Sequence, residues 1–306
     1  QTALTSIIIP ASVTSIRDQA FQQCASLASV TFAANSVLET IDVAAFQETA
    51  LASIEIPAAV TSIGVNAFYK CASLASVTFA AGSGLLTIGN YVFQHTAITS
   101  IIIPASVTSI GNYVFYNLTN LDTVTFATGS DLLAIGDGAF GNTGITTIEI
   151  PASVATIGGD AFKGTTSLTT ITFATGSVLG AIIWTTFMSS AITSIEIPAS
   201  VTNIGNGAFK HCASLTTVTF AEGSQLATIG TSIFTYSGLT TFTAPVSPVL
   251  NLFGVSAEPN QTVSGKSGVT VIDSTPPPPP TCFPAGTPIQ TDQGVTAIEQ
   301  LVPGEH

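Results

Sequence analysis

The sequence predicts an α/β repeat solenoid, ten related units of 23 and 24 residues followed by a partial eleventh, and three observations carry that prediction. Leu4, Leu51, Ile98, Ile145, Ile192 and Leu239 open equivalent segments, each 47 residues after the last. Every such period divides into two similar halves, as in "LTSIIIPASVTSIRDQAFQQCAS" from Leu4 and "LASVTFAANSVLETIDVAAFQETA" from Leu27. One phenylalanine also stands near the end of every unit: Phe21, Phe46, Phe68, Phe93, Phe115, Phe140, Phe162, Phe187, Phe209 and Phe234.

Each unit opens with L-x-x-I-x-I or L-x-x-V-x-F, so its first, fourth and sixth residues face inward, and the alternation marks a short strand. In the 23-residue unit a proline follows (Pro10, Pro57, Pro104, Pro151, Pro198), and its missing N–H ends the ladder. A second apolar pair, such as Val13 and Ile16, brings the chain back to the core. Glycine commonly comes next (Gly64, Gly89, Gly111, Gly136, Gly158, Gly205, Gly230), where a positive φ is expected. The phenylalanines are expected to form a buried column opposite the strands, each contributing roughly 1.5–3 kcal/mol of burial.

Toward the C-terminus, "LTTFTAPVSPVLNLFG" breaks the pattern at Pro245 and Pro248 and reads as a cap, closing a first domain over residues 1–254. Residues 255–281 form an extended segment in which "VTVI" predicts one more short strand, ending in five prolines that make a stiff spacer of about 15 Å. Residues 282–306 form a third region. At the other end the first repeat begins by Leu4 without a capping segment, so that edge is expected to be covered by further sequence or by a partner, with self-association through it one such case. The chain from Gln1 has no initiator Met or signal peptide and is expected to be a processed product or an excised stretch.

Composition narrows the function. Apolar residues make up 46% of the chain, enough for a large core, while only 7% are charged. The net charge is −12, and the cations are Arg17, Lys70, Lys163, Lys210 and Lys266, too few and too scattered for nucleic acid or an anionic membrane. Ser, Thr, Pro and Gly interrupt every apolar run well short of the roughly 18 residues of a membrane span, so no membrane insertion is expected. A surface of Ser and Thr in place of Lys and Glu points to an extracellular protein or one on a cell or virion surface. The triplets Asn117-Leu118-Thr119 and Asn260-Gln261-Thr262 permit glycosylation.

The recurring order of strand, proline, V-T-x-I-G and A-F, typified by "IPASVTSIGNYVFYNLTNLDTVTFA" from Ile103, resembles the BspA-like leucine-rich repeats across about residues 4–245. That family consists of cell-surface and secreted solenoids associated with adhesion. The resemblance implies a right-handed leucine-rich-repeat fold, with a parallel β-sheet on the concave face and irregular or short helical turns on the other.

On each strand the third and fifth residues point outward. The third is always Ser or Thr; the fifth alternates between Thr (Thr31, Thr78, Thr125, Thr172, Thr219) and Ile or Glu (Ile8, Glu55, Ile102, Glu149, Glu196). The concave face is thus a sheet of hydroxyls with a sparse carboxylate row, either a plain β-favouring surface or a binding face. For the latter, Glu55, Glu149, Glu196, Thr125 and Thr172 are the candidates for a protein or glycan ligand. Ice binding fits less well, because Glu and Ile interrupt the Thr array. No metal or other cofactor is expected: alternate rungs lie about 9–10 Å apart, whereas one Ca²⁺ gathers its oxygens at about 2.3–2.6 Å.

Trp184, in "AIIWTTF", replaces a polar residue and reads as an exposed contact or as local repacking. Cys24, Cys71 and Cys212 occupy one repeat position, just after the phenylalanine, and read as small core residues. Cys24 and Cys71 are two rungs apart, about 9–10 Å, beyond the ~7 Å reach of a disulfide. His95 and His211 stand on different repeats, and no nucleophile–base set recurs, so the solenoid is expected not to be an enzyme.

After the spacer, "CFPAGTPIQTDQGVTAIEQLVPGEH" resembles the opening of Hint (Hedgehog/intein) autoprocessing domains through Cys282, Gly286, Thr287, Thr291, Gly294, Ile298, Glu299, Leu301 and Gly304. The resemblance implies that Cys282 is the nucleophile of an N-to-S acyl shift at the carbonyl of Thr281. The assisting histidine of such domains lies in a later motif that these 25 residues lack, so the segment is expected to be inert here. The main functional reading is a surface binding or structural module, matured by cleavage before Cys282. One alternative is a self-assembling fibre or a virion or cell-coat component; another is an autoprocessing protein with the solenoid as cargo.

Overall fold

A computed structural model describes residues 4–244, 249–255, 257 and 260–274, and the backbone of Pro288–Thr291 and Gly294–Ala297. The chain divides into two units, Gln1–Ser274 and Thr275–His306. The first is a parallel-strand solenoid. Alternating unit lengths leave the register intact, because the extra residue of the longer unit is absorbed outside the strands: Ser6 pairs with Ser29, and Thr123 with Thr147.

Each rung has three sides. The first is a four-residue strand, from Ser6–Ile9 to Thr241–Ala244, and that of each 23-residue unit pairs in parallel along its length with that of the next unit. After the first four 24-residue units the ladder shrinks to Thr123–Thr147 or Thr170–Ser194, and it is absent between Ser29–Phe32 and Ser53–Ile56 and between Ser76–Phe79 and Ser100–Ile103. The second is a two-residue strand, and ten of these, from Ser15–Ile16 to Thr228–Ile229, form one continuous parallel sheet in chain order. The third is a run of turns carrying the phenylalanine. Among the described residues the α-helix is a single turn, Asn251–Phe253, so the return path is built from turns.

Those turns are bonded between rungs as regularly as a sheet. The N–H groups of Gln19, Phe21 and Gln23 donate to the carbonyls of Val43, Ala45 and Gln47 at 2.9, 2.8 and 2.8 Å, and equivalent positions repeat the pattern. Aiming alternate N–H groups along one axis requires two left-handed residues per unit, such as Gln19 and Gln23 (φ 58° and 59°) or Asn66 and Lys70 (both 59°). For a non-glycine residue this costs roughly 1–2 kcal/mol, which the inter-rung bonds offset.

The glycine expectation needs correcting. None of Gly64, Gly89, Gly111, Gly136, Gly158, Gly205 or Gly230 has a positive φ; the left-handed residue comes two positions later. Glycine is selected there by close approach of backbones. A Cβ on Gly64 would lie 2.7 Å from the carbonyl carbon of Asp42, and one on Gly136 would lie 2.5 Å from that of Gly111. Beside this column runs a ladder of Asp and Asn: Oδ1 of Asn90, Asn112 and Asp137 accepts from the N–H of Asn112, Asp137 and Gly159, each at 2.8 Å.

The phenylalanines form the expected column. Successive rings from Phe21 to Phe234 stack with centroids 5.2–5.7 Å apart. All are fully buried except Phe21 on the first rung. At the last rung Phe253 covers Phe234, with centroids 6.2 Å apart.

The cap is larger than the sequence suggests. The expected short strand spans Lys266–Asp273; it pairs in parallel with Thr241–Ala244 and antiparallel with Gln261–Val263. Ser264 accepts the N–H of Phe234 on its carbonyl and that of Ile233 on its hydroxyl, closing the turn side. The solenoid body therefore runs to Ser274, past the boundary expected at residue 254. In the second unit, Pro288–Thr291 and Gly294–Ala297 form an antiparallel hairpin. Pro245, Pro248, the five prolines, Thr281 and Cys282 lie outside the described residues.

Two alanine substitutions separate close approach from backbone strain. Gly136→Ala forces two rungs apart and should cost about 3 kcal/mol or more. Gly129→Ala meets open space at φ +74° and should cost about 1–2 kcal/mol. Urea midpoints of the two variants check this ordering; equal losses would mean that crowding does not select the glycine column.

Candidate functional site

The strand side brings most of the expected binding residues together. Alternation points Glu55, Glu149, Glu196, Thr125 and Thr172 outward, and all five are exposed. Register sets each carboxylate beside a threonine on the next rung: Glu55 with Thr78, Glu149 with Thr172, and Glu196 with Thr219. In the corresponding place Ile102 pairs with Thr125.

This face is furrowed. Four grooves recur at the 47-residue period, with volumes of about 600, 710, 760 and 590 Å³. Their walls pair Phe32 with Glu55, Phe79 with Ile102, Phe126 with Glu149, and Phe173 with Glu196. The 24-residue unit makes the relief. After its strand the chain rises through Ala-x-Gly-Ser, with Gly82, Gly129 and Gly176 at φ 73–79° and no neighbouring atom where a Cβ would point. The 23-residue unit instead turns tightly at its proline, as in the Val154 N–H to Pro151 carbonyl bond of 3.1 Å.

Hydrogen bonds hold the raised rim in place. Ser106, Ser153 and Ser200 each reach two carbonyls of the preceding loop; Ser153 Oγ lies 3.0 Å from the carbonyl oxygen of Ser130 and 2.8 Å from that of Leu132. The series stops at the cap, where Phe220 is buried and packs against Phe242 and Phe253.

Sequence reasoning treated the sixth strand residue as uniformly inward and so missed the half-buried Phe32, Phe79, Phe126 and Phe173. The available signal was the alternation of Ile with Phe at that position, in step with the alternation of unit length. Trp184 is exposed, but it does not join this face. It follows the short strand Ala181–Ile182, in the column of the Asp and Asn ladder, with its ring over Gly159. Lys70 and Lys163 lie on the turn side, paired with Glu48 at 3.8 Å and Asp160 at 3.3 Å. No Lys, Arg or His lines any of the four grooves.

The profile of the BspA type leucine-rich repeat region matches in six copies, over residues 1–122, 86–179 and 133–251. Among solved structures, the pneumococcal vaccine antigen PcpA is 19% identical at a TM-score of 0.47, over 89% of this chain and 79% of the other. A leucine-rich repeat protein from Bacteroides ovatus is 23% identical at 0.47, over 81% and 80%. A leucine-rich cell surface protein from Faecalibacterium prausnitzii is 23% identical at 0.40, over 88% and 87%. No curated protein matches the chain.

The reactive side chains outside the grooves are structural in their surroundings. Cys71 and Cys212 are buried; their thiols donate to the carbonyls of Phe46 and Phe187, both at 3.0 Å, and meet the hydroxyls of Thr49 and Ser190. Thr49, Thr143 and Thr165, at the same repeat position, bond the carbonyl three residues back, so this column satisfies the turn that carries the phenylalanine. Cys24, Cys71 and Cys212 are free thiols. His95 and His211 are exposed turn residues packed on Tyr69 and Tyr236. Among the described residues no three His, Cys, Asp or Glu side chains gather to hold a metal ion. Burial pushes the Cys71 and Cys212 thiols above the usual range, against a smaller lowering by their hydrogen bonds. At mildly alkaline pH both should therefore resist iodoacetamide in the folded protein and react after unfolding. Peptide mass mapping reads this directly, and native-state labelling of Cys71 would contradict a sealed core.

Proposed function

The chain belongs to the BspA type leucine-rich repeat family, and on that premise we propose that it is a non-catalytic recognition module, displayed at a cell or virion surface, that holds an extended ligand along its strand side. The four grooves at a constant period carry this reading. A run of similar clefts suits a long or repetitive ligand better than a single small molecule, since each cleft adds a modest contact and the array sums them. Repeat scaffolds serve many partners, so the family fixes the shape of the site rather than the ligand. No helix among the described residues is long and apolar enough to cross a membrane.

Arrays of glycans and of purified extracellular proteins, probed with three versions of the protein, test the placement. Glu149→Lys combined with Thr172→Arg should remove the specific signals of the wild type, whereas Lys210→Glu on the turn side should retain them. If the strand-side variant keeps every signal, the ligand does not lie there.

A second reading concerns residues 282–306. The ordered motif from Cys282 to Gly304 supports it, as does the antiparallel pairing of Pro288–Thr291 with Gly294–Ala297 inside that motif. In a longer product carrying the remainder of a Hint domain, the Cys282 thiolate would attack the Thr281 carbonyl carbon. The peptide C–N bond then breaks, a thioester forms, and the amine of Cys282 takes up a proton. Water, a thiol or an alcohol resolves the thioester and releases or attaches the solenoid. Mass spectrometry of such a product should find chains ending at Thr281, and Cys282→Ala should abolish them. An unchanged mass pattern would remove the autoprocessing reading.

A further inference from the structure

We propose that the strand side binds a linear, uncharged β-linked polysaccharide lying along the solenoid axis, one disaccharide to each groove. This deepens the recognition reading and rests on it.

The spacing carries the argument first. Grooves recur every second rung, at twice the 5.2–5.7 Å that separates successive rings of the phenylalanine column. That is close to the length of one disaccharide in an extended β-linked pyranose chain whose alternate rings are flipped, so each groove meets the same ring face. An extended peptide advances about 3.3 Å per residue and shows the same side every second residue. Three residues match the groove spacing, but an odd number turns every other groove toward the wrong side chains.

Chemistry narrows it further. A groove such as that around Glu149 offers the exposed hydroxyls of Thr123, Thr125, Thr147, Thr170 and Thr172, the carboxylates of Asp122 and Glu149, and the half-buried ring of Phe126. Hydroxyls both donate and accept, as sugar hydroxyls do, a carboxylate accepts from two at once, and the ring takes the C–H face of a pyranose. A polyproline helix repeats at about 9.3 Å for three residues, short of two rungs, and its prolines have no N–H to give the carboxylates of Glu55, Glu149 and Glu196. Charge decides against acidic polysaccharides: the grooves have no cation among their lining residues, and the chain carries −12.

Titration calorimetry with cello- and chito-oligosaccharides of two to ten rings tests this. Affinity should rise by about fivefold per added disaccharide, roughly the net worth of one more hydrogen bond, and level off at the octasaccharide that fills four grooves. Glu149→Gln should lose about one such step, and Ile102→Glu, which supplies the missing carboxylate, should gain about one. A heparin-derived octasaccharide and a polyproline peptide should bind more weakly than the neutral octasaccharide. Affinity that does not climb in disaccharide steps, indifference to Glu149→Gln, or preference for either control would overturn the proposal. If the oligosaccharides fail while a purified protein from the array still binds in a strand-side-dependent way, the polysaccharide is wrong and the recognition reading stands. If neither binds, both fall.

Discussion

Every rung is hydrogen-bonded to the next on all three of its sides, and that constraint governs the rest of the molecule. The two-residue strands pair in one continuous parallel sheet. The four-residue strands pair in parallel except after some of the longer units, where bonds beside the strand such as that from Ala97 to Leu74 take over. The turn side adds its own inter-rung bonds, as from Phe21 to Ala45. Pairing at strand spacing puts each residue directly over its counterpart. Like therefore stacks on like: phenylalanine on phenylalanine, glycine on glycine, and an Asx oxygen over the next N–H. Such stacking makes the solenoid nearly one-dimensional, so a fault in one rung is felt chiefly by its neighbours and at the ends.

The ends differ accordingly. At the C-terminal end the strand Lys266–Asp273 continues the sheet while Phe253 and Ser264 cover the ring column and the turn-side N–H groups. On the first rung, Ile7, Val13, Phe21 and Cys24 are only partly buried, although their equivalents deeper in the array are sealed.

Surface relief comes from a departure from strict repetition. Two unit lengths alternate, and because the strands must stay in register, the longer unit places its additional residue in a raised loop. That loop and the tight proline turn of the shorter unit produce furrows at twice the rung spacing. The same alternation exchanges Ile for Phe at the sixth strand position, leaving Phe32, Phe79, Phe126 and Phe173 half-open in the furrow walls. Lys70, Lys163 and the two histidines are held on the turns, away from these furrows.

By itself the sequence determined whatever depends on period. Inward positions, the ring column, the strand-ending prolines and the outward Thr and Glu rows follow from residue spacing, because a repeating chain must return to the same core at fixed intervals. Tertiary structure decided whatever depends on the neighbouring rung. The glycine column is demanded by the approach of two backbones, not by the torsions of its own residues. Trp184 is assigned to a corner rather than the strand side by the stacking of its unit, and a strand after residue 260 joins the sheet because the last rung leaves an edge to pair with. The grooves belong to this second class, since their depth is a difference in height between two units and only their packing side by side creates it.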